Sequence, residues 1–134
     1  MRPTGRRNIA SPSPWEPKFG YSRAVRIGPW VLVAGTTGSD GEGRAIGGDD
    51  AYAQARAALD KIETALTEAG ATLEHVVRTR IYVTRIADFE AVARAHGERF
   101  GSIRPASTLV EVSALVSPAL IVEIEADAYV GERA

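Results

Sequence analysis

Apolar and polar residues follow two distinct periods along this chain, and the switches between them mark out its elements. Residues 21–27 and 30–37 read as strands, joined through Gly28-Pro29 as a short hairpin connection. A loop over 35–48 follows, holding six glycines. Asp49 or Asp50 then caps a helix that runs to about residue 69. Its apolar residues Ala55, Leu59, Ile62, Ala65, Leu66 and Ala69 form a stripe at helical spacing, and Gly70 stands where a left-handed helix terminus is expected. Residues 76–83 alternate, with Val77, Thr79, Ile81 and Val83 on one face and Arg78, Arg80 and Tyr82 on the other.

A second helix is predicted over 86–100, with Phe89, Val92, Ala93, His96 and Phe100 on its apolar side. Gly97 within it costs about 1 kcal/mol relative to alanine, so it is expected to mark a close packing contact. The last two strands span 107–115 and 120–130, joined through Ser117-Pro118. In the first, Thr108, Val110, Val112 and Ala114 alternate with Ser107, Glu111 and Ser113. In the second, Leu120, Val122, Ile124, Ala126 and Ala128 alternate with Glu123, Glu125, Asp127 and Tyr129. Residues 1–20 carry four prolines and three arginines, and read as an irregular N-terminal arm with a short edge strand near 6–9.

The order is therefore (β)ββαβαββ, an α+β fold. Two helices with one apolar stripe each cover only one face of a mixed sheet. The opposite face would display Arg78, Arg80, Tyr82, Glu111, Glu123 and Glu125, whose opposite charges can pair across strands. Unpaired carboxylates are expensive to bury, so this face must meet water, a ligand or another subunit.

Composition narrows the classes that fit. A length of 134 residues suits one domain over 1–134, and 45% apolar with 25% charged residues is ordinary for a globular chain. A formal net charge of −1 gives no strong pull toward nucleic acid or membrane. Cysteine is absent, which excludes disulfides, thiolate nucleophiles and cysteine-ligated metal, and fits a cytoplasmic protein. The basic N-terminus lacks the apolar run of a secretory signal, and no stretch approaches the roughly 20 apolar residues that span a bilayer.

The glycine loop does not make a phosphate cradle. A P-loop needs Lys-Ser/Thr after its last glycine, whereas Gly48 is followed by Asp49-Asp50, which would repel a phosphate. His75 and His96 have no metal-like spacing to an acidic partner, and His96 falls on a helical apolar stripe, so a packed histidine is the expected role. No metal site is expected. Arg2, Arg6 and Arg7 could touch RNA, but solvated terminal charges are the plainer reading. Glu123 and Glu125, two residues apart on one strand face, could form a catalytic pair or could pair with Arg78 and Arg80. Pairing is expected for Glu125, while Glu123 is left open between the two roles.

At these residues the chain resembles the RidA/YjgF family. The likeness covers nearly all of it: Tyr21-Ser22-Arg23-Ala24-Val25 leading into residues 31–35, Ala53-Gln54-Ala55-Arg56, the strand at 76–83, and a C-terminal block. That block reads Pro105-Ala106-Ser107, Val110-Glu111-Val112 and Glu123-Ile124-Glu125. The resemblance implies a chorismate-mutase-like fold assembled as a homotrimer, with charged sheet faces lining a central barrel and ligand clefts between subunits. It further implies hydrolysis of reactive 2-imino or 2-enamino acids to a 2-oxo acid and ammonia, with no cofactor. RNA binding or cleavage is also ascribed to the family, but the chain lacks a basic stripe and nucleic acid is not an expected partner.

One departure stands out. The family's arginine, which clamps the substrate carboxylate, falls on Ser107, and its serine ahead of the second-strand glycine falls on Ala34. The tyrosine is kept as Tyr21 and the glutamate as Glu123. On this resemblance Glu123 would direct the water, Tyr21 would cover the ligand, and Ser107 would bind a polar group. The Gly35 backbone would contribute, and Arg80 or Arg104 would have to supply the missing charge. A non-catalytic metabolite-binding trimer is the alternative, because an arginine fork supplies charge-assisted bonds that a hydroxyl cannot.

Overall fold

The computed structural model describes residues 5–131, so Arg2 lies outside the described residues. Its strands are β1 (Arg6–Ile9), β2 (Ala24–Ile27), β3 (Trp30–Thr37), β4 (Val76–Val83), β5 (Ala106–Glu111) and β6 (Val122–Tyr129). Helices α1 (Trp15–Phe19), α2 (Ala51–Glu68) and α3 (Phe89–Phe100) complete it. The sheet runs β1-β2-β3-β6-β4-β5, so the last strand in the sequence lies near its middle. Neighbours are antiparallel except β4 and β5, which run parallel and are joined through α3.

Helices α2 and α3 pack on one face, and the core lies between them and the sheet. Leu59, Ile62 and Leu66 of α2 meet Val92 and Phe100 of α3 and Val31, Val33, Ile81, Val83, Val122 and Ile124 of the strands, all buried. Each such side chain contributes roughly 1.5–3 kcal/mol on leaving water. Asp50 caps α2 by accepting from the Tyr52 and Ala53 N–H groups, an interaction worth about 1 kcal/mol. Gly70 takes φ 82° just beyond the helix, as its position predicts.

Gln54 is fully buried and fixes the segment ahead of β6. Its Nε2 donates to the Gly48 and Ala119 carbonyls at 2.8 and 2.9 Å, and its Oε1 accepts from the Ile121 N–H at 3.0 Å. An apolar replacement would orphan three backbone groups, each costing about 1–3 kcal/mol.

Several expectations change. The edge strand near residues 6–9 is present as β1, but the arm also contains α1. Its Pro17 sits in the first helical turn, where a missing N–H costs nothing. Residues 21–23 form a loop rather than the start of β2. The predicted strand over 107–115 ends at Glu111, and β6 starts at Val122, because residues 112–121 turn through Ser117-Pro118 and are tied to Gln54. A register shift against β6 between Val76 and Arg78 puts Val76, not Val77, in the core. In α3 the buried stripe is Val92, Ala95 and Phe100, while Phe89 and Ala93 are exposed. Gly97 marks no close contact: a methyl group there would meet nothing within 4 Å.

Candidate functional site

The sheet face away from the helices carries the charges, as the alternation of β6 requires. Glu123, Glu125 and Asp127 leave it between the buried residues Val122, Ile124, Ala126 and Ala128. Cross-strand pairing sets Tyr82 beside Glu123 and Arg80 beside Glu125. Arg80 Nη1 lies 3.3 Å from both Glu125 Oε1 and Asp127 Oδ2, and the Tyr82 hydroxyl donates to Glu125 at 3.0 Å. Burial, then the bond to Glu125, hold the Tyr82 phenol above its usual range. A shallow concavity of about 450 Å³ on this face is walled by Tyr21, Leu32, Ala34, Arg80, Glu125 and Asp127. Glu123 lies beside this concavity rather than in its wall.

The Glu123 carboxylate differs from those of its neighbours in having no hydrogen bond to another described residue. It is half-buried, and its pKa is raised above 4.5 first by burial and then by Glu125, with Arg23 opposing the shift. Its carboxylate lies over Gly35. A methyl group at Gly35 would fall 3.0 Å from Glu123 Cδ and inside contact distance of Oε2. Gly35 is therefore the space into which the carboxylate fits. It lies in the stretch where the β3–β6 register shifts, between Val33 and Thr36.

Arg23 organises this end of β3. Nη1 donates to the Gly35 carbonyl at 2.8 Å and to Thr36 Oγ1 at 2.9 Å, and Nη2 donates to the Tyr21 hydroxyl at 3.1 Å. Its Nε lies 3.6 Å from Glu16 Oε2, and Glu16, buried in α1, also accepts from Ser11. Beyond β3, Lys61 of α2 donates to the Thr37 carbonyl at 2.9 Å and to Ser39 Oγ at 3.2 Å. Its pKa is lowered, chiefly by burial and then by Arg23, with Asp40 opposing.

The structure thus brings Tyr21, Gly35 and Glu123 to one end of the sheet, linked through Arg23. Sequence reasoning passed over Arg23, Glu16 and Lys61 as site residues. A signal existed for Arg23, which stands two residues after Tyr21 in the block that carried the family likeness. Glu16 offered none, because α1 itself was not expected.

Ser107, Glu111, Arg80 and Arg104 lie elsewhere or are engaged. Ser107 pairs in parallel register with Thr79, and Glu111 pairs with Val83. Both therefore share the helix-side face, not the charged face expected for Glu111. Ser107 Oγ shares a hydrogen bond with Thr79 Oγ1 at 2.8 Å, and Glu111 accepts from the Ile86 N–H at 2.9 Å. Arg80 is held by its two acidic partners. Arg104 is exposed, ahead of β5, in a left-handed conformation at φ 58°. Within one chain, Ser107 and Glu123 are on opposite faces of the sheet. Among the described residues, no group of three or more His, Cys, Asp or Glu could hold a metal ion. Nor is any described helix long and apolar enough to cross a membrane.

Comparison with known proteins gives concordant matches. The family model described as Endoribonuclease L-PSP matches residues 11–130. The uncharacterized protein SCO2049 of Streptomyces coelicolor is 41% identical over 125 residues, covering 93% of this chain and 92% of its own. The 3-aminoacrylate deaminase RutC of Acinetobacter baylyi is 32% identical over 120 residues, covering 90% of this chain and 92% of its own. Among solved structures, Rv2704 of Mycobacterium tuberculosis, described as a member of the YjgF/YER057c/UK114 family, is 57% identical with a TM-score of 0.85. That likeness covers 93% of this chain and 99% of Rv2704.

Proposed function

Since the chain belongs to the Endoribonuclease L-PSP family, the family of RidA and YjgF proteins with a chorismate-mutase-like α+β fold, we propose that it binds a small 2-imino or 2-enamino acid and hydrolyses it to a carbonyl product and ammonia. One observation carries this reading. Glu123 is a half-buried carboxylate with a raised pKa and no hydrogen bond to another described residue, set over Gly35 beside Tyr21 and Arg23. The deaminase name borne by the RutC relative supports the same chemistry.

The steps follow from general acid–base catalysis. Glu123 accepts a proton from water as the water oxygen bonds to the imine carbon. It returns that proton to nitrogen to give a carbinolamine, then relays the carbinol hydroxyl proton to nitrogen as the C–N bond breaks, so that ammonia leaves a carbonyl behind. An enamine enters the same path after protonation at its β-carbon. No cofactor is required by this balance. Tyr21 would cover the ligand, and the Gly35 backbone, fixed by Arg23, would offer it a polar contact.

A second copy of the chain would complete the cleft, in a cytoplasmic homotrimer. What supports this is the separation of Ser107 and Glu123 onto opposite faces, which a neighbour's β5 edge would overcome. The exposed Leu32 and Tyr129 beside the charged residues also favour a covering partner. Light scattering tests it, and a monomer at assay concentration defeats the shared cleft.

Ser107 in place of an arginine favours a second reading, a trimer that binds a metabolite without turning it over. Freshly generated 2-aminoacrylate separates the two. Hydrolysis predicts accelerated release of ammonia that Glu123→Ala abolishes; a wild-type rate equal to the uncatalysed rate leaves binding alone. RNA is not favoured, because Arg80 is neutralised by Glu125 and Asp127.

A further inference from the structure

The helix side of the sheet holds a cluster that the hydrolytic steps leave unused. Thr79, fully buried in β4, places Oγ1 2.8 Å from His96 Nε2 of α3 and 2.8 Å from Ser107 Oγ of β5. Ser107 is exposed at the sheet edge. A line of three polar groups therefore runs from the interior to the surface.

A hydroxyl has one proton to donate, so Thr79 can donate to only one of its two partners. The line then has two polarities. In the inward one, Ser107 donates to Thr79, Thr79 donates to His96 Nε2, and Ser107 shows only lone pairs to the outside. In the outward one, the His96 Nε2–H donates to Thr79, Thr79 donates to Ser107, and the Ser107 proton is free for whatever docks. A ligand that only accepts, such as a carboxylate, fits the outward polarity alone.

We propose that Thr79 and His96 are positioning residues that hold Ser107 as a hydrogen-bond donor to a ligand carboxylate, so that binding of the carboxylate is linked to a proton on His96 Nε2. This rests on the reading of the site as one for 2-imino acids and their 2-oxo acid products. It gives position 107 a route to positive charge without an arginine. An imidazolium donates from both nitrogens, which removes the inward polarity, so acid strengthens carboxylate binding. Burial lowers the His96 pKa from 6.5, so the strengthening is expected below that pH.

Charged side chains near the ring are engaged with other groups. Arg99 of α3 pairs with Asp60 and Glu63 of α2, and Glu98 accepts from Tyr52. Arg94 lies over the Tyr52 ring, and Arg80 of β4 faces the other side of the sheet. Arg78 lies on β4, Arg104 ahead of β5 and Glu111 at the end of β5, where it accepts from the Ile86 N–H. Phe100 packs its ring 4.7 Å away.

Pyruvate, anionic throughout, is the probe, titrated from pH 7.5 to 5 with the His96 ring followed by NMR. In wild type the affinity should rise about tenfold as pH falls, with the His96 pKa raised by bound pyruvate. Thr79→Val keeps the side-chain shape and breaks the line, so the His96-linked part of the rise disappears. Thr79→Ser restores it, which separates loss of the line from loss of fold. Protonation of Glu123 also favours an anion at low pH; the difference between wild type and Thr79→Val isolates the His96 contribution. Absent pyruvate binding, a pH-independent affinity, or a Thr79→Val slope equal to wild type would overturn the proposal. Enamine hydrolysis on the same preparations keeps the two readings apart. A Thr79-dependent slope without hydrolysis defeats the catalytic reading alone, and Glu123-dependent hydrolysis without the slope defeats the relay alone.

Discussion

Glu123 and Glu125, two residues apart on β6, present carboxylates to the same face and are surrounded differently. Around Glu125 the sheet supplies the Arg80 guanidinium and the Tyr82 hydroxyl, so the charge is answered inside the chain. Around Glu123 it supplies Gly35, which offers room and no donor. A carboxylate with its acceptor sites filled is a structural element. One left half-buried and unanswered favours holding a proton more than an ordinary glutamate does. The contrast teaches that function on this face is set by what the neighbouring strand omits.

The strongest attack on that contrast is to neutralise each carboxylate in turn. Glu123→Gln should lower enamine hydrolysis by about 10²–10⁴-fold, the usual range for a lost general acid–base group, while Glu125→Gln keeps most of it. Equal losses, read as ammonia release, would erase the distinction. Gly35→Ala comes next. The added methyl pushes a flexible carboxylate aside, so the protein should fold while turnover falls by about a hundredfold, as misplacement of about 1 Å can cost. A Gly35→Ala enzyme of full activity would remove the glycine from the account.

The pH profile sharpens the comparison further. Activity should fall as acid protonates Glu123, with a midpoint above the 4.5 of an ordinary glutamate. Burial is the first cause and Glu125 the second, so Glu125→Gln should move that midpoint down. Stability has the opposite dependence. The folded chain holds the proton over a window where the unfolded chain has released it, so stability falls as pH rises through that window and then levels off. Glu123→Gln should accordingly melt higher than wild type at neutral pH. The smallest effect belongs to Arg80→Met. Its ion pairs are partly exposed, and their loss should cost about 0.2–1 kcal/mol in chemical denaturation.

Much of this architecture was legible because two periods dominate the sequence. The stripe of α2, its Asp50 cap and Gly70 terminus follow from local spacing, and so does the split of β6 into buried and charged positions. The pairing of Glu125 with Arg80 was legible too, since both needed an opposite charge on one face. Ser107 and Glu111 were not, because alternation gives a strand two faces without saying which is which. Their parity is fixed by the register of β5 against β4, a long-range fact that no window of sequence contains. Val77 failed for a related reason, since a one-residue irregularity in β4 reverses the alternation before it. Arg23 and Glu16 meet across a helix that the prolines disguised. Lys61 was hidden because a lysine beside an apolar stripe reads as solvated until the end of β3 is placed under it.

The position of β6 has a consequence for how the molecule is made. A ribosome releases β3 and β4 well before residues 122–129, yet those two strands meet nowhere except across β6. During synthesis each must wait with an unpaired edge, the condition that invites pairing with foreign strands. Closure depends on contacts between segments far apart in sequence, which are slow to form. The catalytic candidate rides on that final strand, so Glu123 comes to lie over Gly35 only at the step that joins the two halves of the sheet.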